Sequence, residues 1–140
     1  MSLPISYLDL NNKNIVIVED DVPSIKYYET LLKNSGATLN IFSNGKSFVD
    51  YFSSTNDKID IVLIDFLIPF INGIECTKIF RKEKKNIPVL MITAYYTENT
   101  KNEAYIAGCT EYVLKPVFPE KIFSLLEKYL DPRFAYSDSL

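Results

Sequence analysis

Ile61-Val62-Leu63-Ile64-Asp65-Phe66-Leu67-Ile68-Pro69-Phe70-Ile71-Asn72-Gly73 decides how this chain is read. An apolar run ends at a carboxylate, and a proline-bearing turn with an Asn-Gly step follows. A continuous run, rather than an alternating one, is what a strand needs when both its faces are covered. Asp65 then stands at the strand tip, facing solvent. Three other runs end the same way: Ile15-Val16-Ile17-Val18 meets Glu19-Asp20-Asp21, Val89-Leu90-Met91-Ile92 meets Thr93-Ala94, and Tyr112-Val113-Leu114 meets Lys115-Pro116. One edge of a sheet would gather acids, a hydroxyl and an ammonium.

Strands are predicted near 14–18, 37–42, 59–64, 88–93 and 111–115. Between them run helical stripes: Ile25, Tyr28, Leu31 and Leu32; Phe48 and Phe52 within 45–53; Ile74, Ile79 and Phe80 within 73–84; a weakly periodic 100–107; and Ile122, Leu125, Leu126 and Tyr129. The second strand alternates and so reads as an edge. Right-handed crossovers then favour an α/β, flavodoxin-like doubly wound five-stranded parallel sheet of order 2-1-3-4-5 with five helices. Ligands of such sheets bind at the carboxyl ends of the strands.

A chain of 140 residues that is 47% hydrophobic holds one core. Residues 1–12 read as a patternless extension in which Met1-Ser2-Leu3 resembles an expression scar, 13–130 as the domain, and 131–140 as a polar tail after the Asp131-Pro132 stop. That leaves no length for a second domain. A net charge of −3 gives no drive toward nucleic acid or an anionic membrane, so protein partners are expected. Without a long apolar stretch or a signal-like start, the chain reads as cytoplasmic. Cys76 and Cys109 lack metal or redox spacing and read as reduced structural thiols. The 140 residues include no histidine, which excludes His-dependent catalysis and a phosphohistidine carrier within them. Any phosphate must come from another molecule. Scattered glycines disfavour a nucleotide loop. The basic run 81–85 reads as solvated cations at a helix C-terminus. Tyr95, Tyr96, Tyr105 and Tyr112 are candidates for an exposed patch of the kind that marks protein interfaces.

Taken singly, Asp65 is a turn residue, Thr93 a strand former and Lys115 a surface charge; their convergence argues otherwise. Glu19, Asp20 and Asp65 cannot all stay ionised side by side without a cation, and oxygen donors suit Mg²⁺. Such an ion would neutralise an incoming phosphoryl group while Asp65 attacks in line to form a mixed anhydride. Thr93 offers a hydroxyl, Ala94 leaves the phosphoryl site open, and Lys115 supplies a second positive charge. No side chain is placed as a general base on water, so the pieces make a phosphoryl acceptor rather than a hydrolase.

In the acidic pair Glu19-Asp20, the D-x-x-x-P-x-x-N-G stretch from Asp65 to Gly73, the Thr93-Ala94 step and Lys115-Pro116, the chain from Lys13 to Leu130 resembles the receiver domain of two-component response regulators, the chemotaxis-regulator-like superfamily. That resemblance implies phosphorylation on Asp65, with Glu19, Asp20, Asp65 and the Leu67 carbonyl around Mg²⁺. Thr93, Ala94 and Lys115 would form the phosphoryl site, Thr93 and Tyr112 the switch, and Lys115-Pro116 a cis peptide aiming the ammonium inward. Glu19 departs from the family's usual Asp; its longer arm still reaches a metal, and Asp21 is left to the loop. The implied partners are a histidine kinase or histidine phosphotransfer protein, a downstream target or output domain, and a second copy through the helix 4, strand 5 and helix 5 face. Leu67 and Tyr95 would flank the phosphoryl group and slow its hydrolysis. The alternative is a receiver-like interaction module that is never phosphorylated.

Overall fold

The computed structural model describes residues 8–84 and 86–131. Among these, five strands alternate with five helices: β1 (Asn14–Val18), α1 (Val22–Leu32), β2 (Thr38–Phe42), α2 (Gly45–Ser54), β3 (Ile61–Ile64), α3 (Gly73–Glu83), β4 (Val89–Thr93), α4 (Glu98–Ala107), β5 (Glu111–Leu114) and α5 (Pro119–Leu130). All strand pairs are parallel, and the order is β2-β1-β3-β4-β5. This is the flavodoxin-like arrangement expected, with the alternating β2 at an edge.

The continuous apolar runs are explained by two cores, one on each face of the sheet. Val16, Val18, Val62, Ile64 and Met91 pack with Phe48, Phe52 and Phe80 of α2 and α3. Ile15, Ile17, Ile61, Leu63, Leu90 and Ile92 pack with α1 and α5 on the other side. Each fully buried aliphatic side chain contributes about 1.5–3 kcal/mol relative to exposure. Both faces of β1 and β3 therefore hold them in place, and their carboxyl tips are rigid.

Side-chain caps set the helix starts. Asp21, Asn44, Asn72 and Thr97 each accept a hydrogen bond from the N–H three residues on. The Thr97 cap starts α4 at Glu98, two residues before the periodicity shows it. The third strand begins at Ile61 rather than 59, because the Asp60 carboxylate takes the Asn14 N–H at 2.7 Å in place of a ladder carbonyl. Leu10, within the stretch read as patternless, is buried beside α1 and α5, and its N–H donates to the Ser35 carbonyl at 2.8 Å. The last helix ends at Asp131 as expected; Met1-Ser2-Leu3, Pro132 and the polar tail to Leu140 lie outside the described residues.

Arg81 corrects the reading of 81–85 as solvated. Its guanidinium donates to the carbonyls of Gly108, Lys84 and Ile87 at 2.8, 2.9 and 2.6 Å, so it ties the end of α3 to the loops flanking β4. Lys82 is exposed, and Lys85 lies outside the described residues. Among the described residues no helix is long and apolar enough to cross a membrane.

Candidate functional site

Strand register brings the distant motifs together. Val18 pairs with Ile64, and the ladder runs one step further through the Asp65 N–H to the Val18 carbonyl at 3.0 Å. Glu19 and Asp65 are therefore neighbours at the carboxyl edge. Thr93 pairs with Leu114, and the Lys115 N–H reaches the Thr93 carbonyl at 2.9 Å, which sets the lysine at the same edge. Behind Asp65 the backbone is tightly folded: a Cβ on Gly73 would lie 2.2 Å from the Asp65 carbonyl oxygen, so the turn after Asp65 needs glycine there.

The Lys115 ammonium bridges the two acids. It hydrogen-bonds Glu19 Oε1, Asp65 Oδ2 at 3.1 Å and Ser24 Oγ at 3.2 Å. Glu19 is only 2% exposed, and its Oε2 accepts the N–H groups of Asp20 and Asp21 at 3.1 and 3.3 Å. Burial raises the Glu19 carboxyl above its ordinary value, the Lys115 hydrogen bond pulls it back, and the Asp65 charge adds to the rise. Burial alone would lower Lys115, but its Glu19 hydrogen bond and the two carboxylate charges outweigh that and hold it above the ordinary lysine value. Asp20 is exposed beside the pair. The Leu67 N–H donates to Asp65 Oδ1 at 3.3 Å, leaving the Leu67 side chain out in solvent.

Thr93 and Tyr112 meet at Tyr95. Thr93 is buried, and its Oγ1 accepts the Tyr95 N–H at 3.2 Å, while the Tyr112 hydroxyl donates to the Tyr95 carbonyl. Both side chains thus clasp one residue of the loop into α4. The tyrosine patch is present: Tyr95, Tyr96 and Tyr105 are exposed, Tyr96 stacks edge-on to Tyr112, and the Tyr105 hydroxyl accepts the Tyr112 N–H at 3.2 Å. The Lys115-Pro116 peptide is cis, as expected. Ala94 is exposed and, with Lys115, borders a cavity of about 490 Å³ beside the start of α1.

Residues 15–127 match the profile of the response regulator receiver domain. The chain belongs to that family. This receiver is 31% identical over 119 residues to hybrid signal transduction histidine kinase M of Dictyostelium discoideum, covering 81% of the chain and 5% of the kinase. It is 28% identical over 120 residues to the polar-differentiation response regulator DivK of Brucella anthropi, covering 84% of the chain and 96% of that protein. A solved CheX-CheY-BeF3-Mg²⁺ complex from Borrelia burgdorferi matches with a TM-score of 0.76 at 26% identity, over 83% of this chain and 87% of that one. The receiver thus spans 5% and 8% of two hybrid kinases from Dictyostelium discoideum, and almost all of the shorter regulator.

The donors suit the divalent cation that the family implies. Glu19 and Asp65 present only hard oxygens and already converge on one cation, the Lys115 ammonium, while Asp20, expected as the third carboxylate, is exposed and not gathered with them. Among the described residues no three acidic or thiol side chains are gathered at metal-holding distance. Cys76 and Cys109 are buried, and burial pushes their thiols up to about 12 and about 11, which keeps them unreactive. Ser24 is the site residue that sequence reasoning missed; a serine in a first helical turn gives no sign of a partner 91 residues away.

Proposed function

We propose that this receiver, acting in two-component phosphorelay signalling, accepts a phosphoryl group on Asp65 from a phosphohistidine of a histidine kinase or histidine phosphotransfer protein. The observation that carries this reading is the Lys115 ammonium joining Asp65 to buried Glu19 at the sheet's carboxyl edge. An Asp65 oxygen attacks phosphorus, the P–N bond of the donor breaks with its electrons going to the imidazole, and an acyl phosphate results. Glu19, Asp20, Asp65 and the Leu67 carbonyl would hold Mg²⁺, which supplies charge neutralisation for the transferring group. Lys115 gives up Asp65 Oδ2 and turns to a phosphoryl oxygen. Ala94 leaves room for the group, and Thr93 donates its hydroxyl to it.

The switch follows from the shared hold on Tyr95. When the Thr93 hydroxyl turns to the phosphoryl group, the Tyr95 N–H loses its acceptor, and the loop carrying the Tyr112 acceptor rearranges with α4. The functional unit is 13–130, with Leu10 of the preceding 1–12 stretch packed into its core and 131–140 following. Its target, an output domain, a separate protein or a second copy, reads the α4, β5 and α5 face. Incubation with a small acyl phosphate and Mg²⁺ should add the mass of one phosphoryl group, lost on treatment with hydroxylamine. A mass that stays at the parent value with Mg²⁺ present overturns the reading in favour of a phosphate-independent interaction module.

Leu67 and Tyr95, two positions past Asp65 and Thr93, would flank the phosphoryl group with apolar bulk, and the Tyr95 ring packs on Phe66 at 5.3 Å between centroids. A Leu67→Asn, Tyr95→Glu variant should lose phosphate about tenfold faster, the size of one transition-state hydrogen bond gained by water. Slower loss from the variant would contradict this shielding.

A further inference from the structure

We propose that Ser24 is a positioning residue for Lys115, oriented for that task by Asp21; the role rests on Asp65 being the phosphoryl acceptor. An ammonium has three hydrogens to place. Here they meet Glu19, Asp65 Oδ2 and Ser24 Oγ, from β1, β3 and α1. The Ser24 hydroxyl spends its own hydrogen on Asp21 Oδ2 at 2.7 Å, so it turns a lone pair to the ammonium. Asp21 is itself fixed as the cap of α1 by the Ser24 N–H at 3.1 Å. A chain of contacts therefore runs from the helix cap, through one hydroxyl, to the lysine.

The arrangement matters at the moment of transfer. Asp65 Oδ2 must leave the ammonium to bond phosphorus, and Lys115 must stay at the rim to meet a phosphoryl oxygen. Glu19 and Ser24 are then its two remaining anchors. On the α1 side Lys115 borders the cavity of about 490 Å³, where its flexible stem has room to swing. Ser24 holds the ammonium on that side.

Three chains decide it: the parent, Ser24→Ala and Ser24→Thr. Each is labelled with a small acyl phosphate and Mg²⁺, its Lys115 ammonium is observed by ¹⁵N NMR, and its thermal midpoint is recorded. Ser24→Ala keeps the capping N–H and a residue that favours helix, so its midpoint should match the parent. Its labelling rate should fall about tenfold, as for loss of one hydrogen bond to a charged group, and its Lys115 protons should exchange faster with water. Ser24→Thr should restore both. A Ser24→Ala chain with parental rate and parental Lys115 signal overturns the proposal. So does a rate loss that tracks a lowered midpoint and that threonine fails to rescue. A parent that takes up no phosphate overturns the acceptor reading and the positioning role with it, whereas a labelled parent beside an indifferent Ser24→Ala sinks only the latter.

Discussion

Exchanging Asp65 for asparagine is expected to reduce phosphoryl incorporation to the background of the assay while leaving the fold intact. The amide nitrogen and oxygen are poor nucleophiles, and no other carboxylate is held on Lys115 with its flank open: Glu19 is buried and already receives two backbone N–H groups. The structural cost is small. Lys115 keeps Glu19 and Ser24, the asparagine oxygen still accepts from Leu67, and both partners of the lost ion pair are part-exposed, so unfolding free energy should change by no more than about 1 kcal/mol. Mass spectrometry and a thermal melt on the same sample read both expectations. Labelling of the variant at the parent's rate would move the acceptor elsewhere.

Replacing the other end of that pair should cost stability as well as labelling. Lys115→Met strands the Glu19 carboxylate without its ammonium, and stability at neutral pH should fall by about 3 kcal/mol, with labelling slowed by roughly a hundredfold. The pH dependence fixes the cause. In the parent, Glu19 is raised above its ordinary value, chiefly by burial; removing Lys115 takes away the hydrogen bond and charge that hold it down, so it rises further. A carboxyl raised in the folded state costs stability when ionised, and that cost shrinks as pH falls through its folded value and is gone below its unfolded one. The deficit of the variant should therefore be full at neutral pH and shrink on acidification. Lys115, raised in the folded parent, stabilises fully below the unfolded lysine value and ceases to do so as pH climbs through its folded one. Denaturant melts across that range check both arms. A deficit that is flat with pH would assign the loss to packing of the lysine stem instead.

The parts of this site that were legible in the sequence are those that backbone periodicity controls. Continuous runs around Val16, Leu63 and Leu90 require covered faces, covered faces require crossovers, and crossovers bring every strand's carboxyl tip to one edge. Glu19, Asp65, Thr93 and Lys115 follow from that geometry. What stayed hidden depends on single long-range contacts. Arg81 sits in a run of charges and looks solvated, yet its guanidinium finds three carbonyls that only the folded loops supply. Ser24 looks like any first-turn serine until Lys115 arrives from the far end of the chain. The hold of Thr93 on Tyr95, rather than on Asp65, is likewise a choice of rotamer that composition cannot encode.

The Tyr105 phenol, which takes the backbone N–H of Tyr112, has a meaning beyond the switch. β5 is the last strand of the sheet, and the outer margin of a sheet is where a stray chain can dock and start an aggregate. A donor already occupied by the molecule's own side chain is a poor template for such growth. Whatever loosens α4 also lifts this guard, so under the proposed switch the same helix would govern communication and colloidal safety.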